Sequence, residues 1–255
     1  IETGLEFDRA WMVVDAQGRF VTQRQVPRMA LIQPTLRVLD MVLRAPGMLA
    51  LHLPLGEVGE AVRVTVWSDE VAAFDMGDLA AQWFSDFLGQ PLRLVRFDPD
   101  QKRLASAQWT GPIAAEAAFS DEYPLLVASQ ASLDELNRRL ASTGASRVTM
   151  QRFRPNLVLD GLDAHGEDNL DEVYFETPAG PVRLKLVKPC SRCSIPDVDP
   201  ITAETGHAVA DALAAYRADA RLNGAITFGM NAVIVEGIEC TLRPGMLGGA
   251  TYRFD

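Results

Sequence analysis

Cysteine is scarce in this sequence, with three residues in 255. So few thiols do not make a disulfide scaffold, and a chain of this length buries a sufficient core without one. A reducing compartment is the default for such a chain, and we expect a cytoplasmic location. Apolar runs are short as well. None approaches the roughly 18 residues of a membrane-spanning helix, so no membrane span is expected, and no secretory signal is visible.

Positive charge is also in deficit. The 24 Lys and Arg residues face 34 Asp and Glu residues, which leaves a formal net charge of -10. Nucleic acid is therefore not an expected partner. Local clusters of arginine become informative, because they run against this average. The remaining composition, 48% hydrophobic and 23% charged, is that of an ordinary globular protein.

Patterning in the first third indicates β-structure with one helix. A hairpin is predicted at residues 10–24, where Gly18 suits the positive φ of a tight turn. Residues 48–55, 61–67 and 91–98 are typical of further strands. Between them, a helix is predicted to begin at its cap Asp78 and to end at Gly89. Its apolar face would comprise Leu79, Trp83, Phe84, Phe87 and Leu88.

The remainder alternates between short strands and two helices, after a weakly patterned connector at residues 100–124. A strand is predicted at residues 125–129, followed by a helix that the capping box of Ser132 and Glu135 starts and Gly144 stops. Sheet outweighs helix without a regular βαβ rhythm, which predicts an α+β, mainly β, fold. The inward helix positions are Leu133, Leu136 and Leu140; further strands are predicted at 152–161, 172–177, 182–188 and 225–237, and a helix at 208–219.

A close pair of thiols, Cys190 and Cys193, lies in residues 187–200, VKPCSRCSIPDVDP. A zinc site needs more ligands, but the third cysteine and the histidines do not lie at metal-ligand spacing. A redox pair of the thioredoxin type places its thiol at a helix N-terminus, whereas Pro196 and Pro200 indicate an extended or turning segment. Both explanations are disfavoured.

Two further explanations exist for the pair. The cysteines could be buried as small hydrophobic residues, although they share a loop with Arg192 and other polar residues, a poor place for packing. Alternatively, one thiolate could bind a soft metal, such as molybdenum or copper(I), that an anionic cofactor carries. An arginine beside the sulfur would favour the thiolate. Spacing alone does not choose among the four explanations.

Several blocks of the sequence resemble one known family. Residues 4–32 are similar to the β-barrel domain that precedes MOSC domains, and residues 80–95 resemble its W-x-x-x-F-L segment. Residues 119–140, 152–161 and 190–206 resemble the MOSC domain proper, in the family's order. This is the family of molybdenum-cofactor sulfurase C-terminal domains, whose nearest branch includes the mitochondrial amidoxime-reducing component and its bacterial relatives. The resemblance implies a β-barrel-like domain at 1–105, lacking its first strand, packed on a β-rich MOSC domain at 106–255.

The resemblance further implies a molybdopterin-type molybdenum cofactor held by one cysteine thiolate. By motif, the metal ligand and catalytic residue is Cys193, the second cysteine of C-S-R-C, and Cys190 would support it. Cations and amide donors should line the pocket of so anionic a cofactor. The matching positions are Arg24, Arg154, Asn156, Ser191 and Arg192, with Ser120, Asp121 and Asn231 as weaker matches.

Each of these positions also has a purely structural explanation. Arg24 could be a solvated strand arginine. Arg152 and Arg154 alternate along a predicted strand and share one face, so one of them could pair with surface acids. The functional interpretation depends on the joint presence of all these residues. Turn or helix-cap formation is the corresponding explanation for Ser120, Asp121 and Asn156.

The implied function is a molybdenum oxidoreductase that reduces N-hydroxylated or N-oxide compounds by removing oxygen. The chain has no C-x4-C-x2-C run for an iron–sulfur domain, so electrons would come from a separate donor protein. Relatives also carry a lysine–serine segment that grips the cofactor phosphate, upstream of the point where this chain begins. No proton donor is identified. Asp197 and Asp199 are candidates by position, and solvated loop acids are the alternative.

Two other functions remain open. A sulfur carrier or sulfurtransferase would hold a persulfide on Cys193 for metal–sulfur cluster assembly and would need no pterin pocket. A cofactor-free interaction or storage module would keep the fold without redox chemistry.

Overall fold

The structure, a computed structural model, describes residues 1–253. Its backbone contacts divide the chain into two compact units. The smaller unit comprises residues 7–103 and 198–205, and the larger unit comprises residues 1–6, 104–197 and the chain from 206 onward. The predicted fold class, α+β and mainly β, is confirmed. Within residues 1–253, no helix has both the length and the apolar character to cross a membrane.

Two antiparallel sheets and one helix build the smaller unit within residues 7–103. One sheet has the order β1-β7-β6-β5, and the other has the order β2-β3-β4. The apolar sides of both sheets and of the helix form a common core around Trp83 and Phe84. The elements are β1 (Trp11–Val14), β2 (Gln33–Leu36), β3 (Asp40–Arg44), β4 (Leu51–Pro54), β5 (Ala61–Val66), β6 (Asp69–Asp75), α1 (Asp78–Leu88) and β7 (Arg93–Phe97), with a 3-10 helix at Pro27–Leu31.

The predicted hairpin at residues 10–24 is confirmed only at its turn. Gly18 has the expected positive φ of 74°, but the second arm is no strand and meets the first through a single bridge, Val14 to Phe20. Beyond the bridge, the Thr22 hydroxyl bonds the side chain of Gln25 at 2.6 Å. Such a local side-chain bond offers the backbone an alternative to the sheet ladder. Strands β2, β3 and β6 were not predicted.

The N-cap of helix α1 lies one residue before the predicted cap, Asp78. Gly77 is the N-cap, and Asp78 is the first helical residue, whose carboxylate accepts a bond from Arg93 at 3.0 Å. The prediction that Leu79 belongs to the apolar face is wrong, because this residue is 74% exposed. It lies about 100° around the helix axis from buried Ala80, at the edge of the apolar stripe. The predicted end at Gly89 is confirmed by its φ of 74°.

One mainly antiparallel sheet dominates the larger unit. Its strand order among the described residues is β14-β10-β11-β13-β8-β9, with β12 beside β13, and only the β8–β9 pair is parallel. The elements are α2 (Ala107–Thr110), β8 (Leu125–Ser129), α3 (Gln130–Ser142), β9 (Leu157–Leu159), β10 (Leu170–Thr177), β11 (Gly180–Ser191), α4 (Ala208–Ala214), β12 (Ala218–Asp219), β13 (Ala225–Glu236) and β14 (Gly248–Tyr252), with 3-10 helices at Met150–Arg152, Gly166–Asn169, Ile195–Asp197 and Ala220–Leu222.

Helices α3 and α4 cover one part of this sheet. The predicted inward residues Leu133, Leu136 and Leu140 are buried, and they share a cluster with Leu213 of α4 and Phe228 of β13. The other apolar face packs around β10, β11 and β13. The positions of strands β8, β10, β11 and β13 agree with the sequence pattern, whereas β14 was not predicted.

The predicted cap of α3 is wrong. The N-cap is Ser129, whose hydroxyl oxygen accepts a bond from the Ser132 amide at 3.1 Å. Ser132 therefore lies inside the first turn, and its hydroxyl donates to the fully buried carboxylate of Glu167 at 2.7 Å. Glu135 faces Arg139 at 2.5 Å on the helix surface. The S-x-x spacing of the cap was correct, but it starts three residues earlier.

The predicted strand at residues 152–161 is confined to Leu157–Leu159. Arg152 ends a 3-10 helix, and Arg154 has a left-handed backbone with a φ of 55°. The idea that these two arginines share one face of a strand is therefore wrong. The helix predicted at 208–219 is shorter than expected and ends at Ala214.

A buried imidazole lies between α3 and the segment after α4. His165 packs against Tyr216, with 5.4 Å between ring centroids, and neither imidazole nitrogen has a hydrogen-bond partner within residues 1–253. Burial, together with the positive charges of Arg217 and Arg139, lowers the pKa of His165 to about 4. The folded chain therefore disfavours the protonated ring.

We expect His165 to make stability fall in mild acid. Its folded pKa of about 4 lies below the ordinary 6.5, so the unfolded chain binds more protons. Stability from this group is complete above pH 6.5 and declines toward pH 4, by about 1 to 2 kcal/mol once solvent screening of the half-buried ring is allowed for. In His165→Asn, asparagine tolerates the left-handed backbone. This variant should lose less unfolding free energy than the wild type between pH 7 and pH 5, as measured by urea unfolding. The exposed control His207→Asn should lose as much unfolding free energy between pH 7 and pH 5 as the wild type. Equal losses in all three proteins would contradict the assignment.

Candidate functional site

The two close cysteines lie at the end of β11, one of the two 12-residue strands at the centre of the sheet. Cys190 belongs to β11 and is half-buried, so it does not lie in a loop as expected. Ser191 still pairs with Thr227 of β13, and the Arg192 amide donates to the Ile226 carbonyl at 2.8 Å. Cys193 is the first residue beyond this tie and is exposed. The sheet therefore presents the Cys193 thiol at its rim.

The chain turns immediately after Cys193. Residues Ile195–Asp197 form a 3-10 helix, in agreement with the turning segment that the prolines predict. A narrow cavity lies beside the Cys193 thiol, with mostly apolar walls from the turn, from α4 and from β13. Its lining comprises Arg192, Cys193, Pro196, Asp197, Val209, Ala210, Leu213 and Ile226.

The guanidinium of Arg192 contacts a different sulfur from the expected one. Its Nη1 donates to Cys190 Sγ at 3.1 Å, and its Nη2 donates to the Phe153 carbonyl at 3.1 Å. Nε is buried and has no partner among the described residues. The plane also lies 5.5 Å from the centre of the Phe153 ring. Arg192 thus joins the end of β11 to the segment that carries Arg154.

Arg154 combines an exposed side chain with an unusual backbone. Its φ of 55° lies in the left-handed region, which costs a non-glycine residue about 1 kcal/mol or more. Such outliers persist where the surroundings hold them, and they concentrate at functional sites. Two residues later, Asn156 is pinned to β8, because its amide donates to the Leu126 carbonyl and its Oδ1 accepts from the Leu126 amide, both at 2.8 Å.

Asn231 lies on the same part of the sheet. It is half-buried in β13, opposite Lys188 of β11 and opposite Leu126 of β8. Leu126 therefore has Asn231 on one side and Asn156 on the other. The structure brings Asn156 and Asn231 within one strand of each other. The Asn156 Oδ1 bonds the Leu126 backbone 30 positions away, which is a link to β8 rather than the turn of the structural explanation.

Ser120 and Asp121 immediately precede the entry to β8. Ser120 is buried and Asp121 is exposed. The following Glu122 accepts an ion-pair bond from Lys188 of β11 at 2.5 Å. This bond places residues 120–122 beside β11, the strand that leads to Cys190.

Arg24 belongs to the smaller unit. It lies in a turn rather than a strand and is half-buried. Its Nε donates to the Thr22 hydroxyl at 3.2 Å, and its guanidinium lies 4.6 Å from the centre of the Trp67 ring. The alternative in which Arg24 is a solvated strand arginine is therefore wrong.

Asp197 is not a solvated loop acid, whereas Asp199 does lie in a loop and is half-buried. Asp197 is buried, and its Oδ1 accepts bonds from the amides of Val209 and Ala210 at 3.1 and 3.2 Å, which caps α4. Asp199 Oδ1 accepts bonds from the amides of Ile201 and Thr202 at 2.8 and 3.1 Å. Both carboxylates thus hold backbone.

Sequence reasoning missed the structural partners of this site. Phe153 stacks on Phe228 with 3.9 Å between ring centroids, and Arg152 Nη1 donates to the Pro196 carbonyl at 3.1 Å. The density of arginine in RFRPN, in so acidic a chain, is the signal that could have pointed to them. Within residues 1–253, no group of three His, Cys, Asp or Glu side chains could hold a metal ion. A metal at Cys193 would need its other ligands from a cofactor.

We expect Asp197 to act through helix capping. Asp197→Ala removes the acceptor for two amides and should cost about 1 to 2 kcal/mol of unfolding free energy. Asp197→Asn keeps Oδ1 and should cost clearly less. Urea unfolding at neutral pH measures both. Equal losses in the two variants would show that the negative charge, rather than the cap, is what matters.

Two family models match this chain. Residues 1–91 match the family model of the MOSC N-terminal beta barrel domain, and residues 114–245 match that of the MOSC domain. The predicted boundary at 105 lies between the two matches and stays a prediction. A Bordetella bronchiseptica protein of known solution structure is 34% identical, with a TM-score of 0.33, over 35% of this chain and 72% of that chain.

Among curated relatives, the mouse mitochondrial amidoxime-reducing component 1 is 38% identical over 76% of this chain and 56% of its own length. The human mitochondrial amidoxime-reducing component 1 is 37% identical over 76% of this chain and 57% of its own. The human molybdenum cofactor sulfurase is 31% identical over 84% of this chain and 26% of its own. The chain thus spans just over half the length of the first two relatives. By its match to the family model over residues 114–245, this chain belongs to the MOSC domain family.

Proposed function

We propose that this protein binds a molybdopterin-type molybdenum cofactor through Cys193 and reduces N-hydroxylated or N-oxide compounds. The observation that carries the proposal is an exposed thiol at the rim of the sheet, joined through Arg192 to the segment of exposed Arg154. Similarity to amidoxime-reducing components supports the substrate class. Similarity to a molybdenum cofactor sulfurase supports the cofactor.

The donor set suits this group. Molybdenum favours thiolate, and Cys193 is exposed while the described residues hold no competing three-ligand metal cluster. The cofactor is anionic, and Arg154 offers an exposed cation in a strained backbone. An accessible thiol, with an exposed cation on the segment that Arg192 joins to it, suits a metal that an anionic cofactor carries.

Each residue has a distinct role in this proposal. Cys193 ligates the metal and is the catalytic residue. Arg154, Asn156 and Ser191 hold the pterin. When bound, the cofactor supplies the two-electron chemistry that removes oxygen from an N–OH or N-oxide group. Ser120, Asp121 and Asn231 are flanking positions.

Electrons and protons must arrive from outside these residues. A separate donor protein would supply the electrons. Asp197 and Asp199 each use a carboxylate oxygen for two backbone amides, so neither is assigned as the proton donor. The protein's part is to orient the cofactor and to set the charge around it.

Molybdenum content tests the proposal directly. The chain should be produced in a host that makes the cofactor, and its metal measured by mass spectrometry alongside Cys193→Ala and the matched control Cys240→Ala. We expect stoichiometric metal in the wild type and control, and loss of nearly all metal in Cys193→Ala, because the ligand is gone. Reduction of an N-hydroxylated compound with an artificial electron donor should follow the same order. Absence of molybdenum from all three proteins, or equal amounts in all three, would reject the proposal.

A sulfur carrier is the second candidate, because Cys193 is exposed and one relative is a molybdenum cofactor sulfurase. A persulfide needs the thiol but no pterin pocket. The two functions separate at Arg154. Arg154→Gln should weaken cofactor retention by about tenfold or more if the cation binds the cofactor, with Arg147→Gln as control. A sulfane-sulfur adduct on Cys193 in mass spectra, indifferent to Arg154→Gln, would instead support the sulfur carrier.

A further inference from the structure

Two arginines each donate a hydrogen bond to the segment that carries the other arginine. We call residues 150–154 the arginine segment and residues 192–197 the cysteine segment. Arg192 of the cysteine segment donates to the Phe153 carbonyl at 3.1 Å, and Arg152 of the arginine segment donates to the Pro196 carbonyl at 3.1 Å. We propose that these reciprocal bonds form a clasp that positions Arg154 relative to Cys193, and that Arg192 is a positioning residue rather than a cofactor ligand.

Both terminal nitrogens of Arg192 donate to protein. Nη1 bonds Cys190, Nη2 bonds Phe153, and Nε is buried. A buried Nε offers nothing to a cofactor at an exposed thiol. The planar fork of arginine suits this double contact, because its donors have fixed relative directions. The guanidinium therefore sets the distance between the two segments.

The clasp is anchored in the core. Phe153 and Phe228 are each less than 2% exposed and stack with 3.9 Å between centroids. Phe228 belongs to β13, which also holds the Arg192 amide through the Ile226 carbonyl. The Arg192 backbone and its partner Phe153 are thus both held by β13.

Arg154 lies between two fixed neighbours. On one side, the Phe153 carbonyl is held by Arg192. On the other side, Asn156 is held by both backbone groups of Leu126. A left-handed residue persists only when its surroundings over-determine it, and these contacts do so. Loss of the clasp should let Arg154 relax, although the residue itself is unchanged.

The purpose of the clasp rests on the proposed function, but its existence does not. Hydrogen exchange followed by mass spectrometry tests the clasp in purified protein without cofactor. The variants are Arg152→Gln, Arg192→Gln and the double variant, with exposed Arg147→Gln as control. Each single variant should speed exchange severalfold in both segments and also at the Asn156 amide. The double variant should add little, because either change opens the same joint. Exchange that rises only in the substituted residue's own segment, or effects that simply sum, would overturn the clasp.

Molybdenum retention tests its purpose. Arg152→Gln and Arg192→Gln should lower retention by similar factors, about tenfold each, and the double variant by no more than about tenfold. Arg192→Lys, which keeps one donor, should recover part of the loss. If Arg192 bound the cofactor directly, Arg192→Gln would lower retention while Arg152→Gln would not, and the positioning role would be wrong. If no protein, including the wild type, holds molybdenum, the proposed function fails while the exchange result still decides the clasp.

Discussion

One guanidinium connects the parts of this site. Arg192 bonds the sulfur of Cys190 and the carbonyl of Phe153, and it adjoins Cys193 in the chain. Its amide is tied to β13. A charged hydrogen-bond donor with two carbonyl or sulfur partners and a buried third nitrogen is costly to leave half-satisfied. The geometry of the thiol rim and of the neighbouring arginine segment therefore depends on this side chain more than on any local propensity.

The sequence predicted the elements whose pattern is decided locally. Alternation placed β8, β10, β11 and β13, and the leucine spacing placed the inward face of α3. It failed where a tertiary partner decides. Ser132, with Glu135 three residues later, fits the capping box and Ser129 does not, but the buried carboxylate of Glu167 takes the Ser132 hydroxyl and Ser129 is the N-cap. Leu79 is apolar, yet nothing covers the first turn of α1 on that side.

The candidate site divides along the same line. Motif and chemistry singled out Cys193 and its arginines, because residue types and their order are visible in a sequence. They did not predict that Arg192 would contact Cys190, or that Asp197 would cap α4. The Asp197 cap joins residues 12 and 13 positions apart, and the bond from Arg192 to the Phe153 carbonyl spans 39 positions, so only the folded chain brings these groups together. The roles assigned to Arg24, Ser191 and Asn231 stay predictions.

The left-handed backbone of Arg154 sets heat resistance against chemistry at one position. Glycine adopts that conformation without penalty, so Arg154→Gly would relieve the main chain while deleting the cation. Selection for thermal endurance alone would favour the exchange, and selection for cofactor capture would resist it. Under the proposed function, a protein engineer who hardens this fold by survival of heating should therefore hold residue 154 constant, because Arg154→Gly removes a cation that would bind the cofactor.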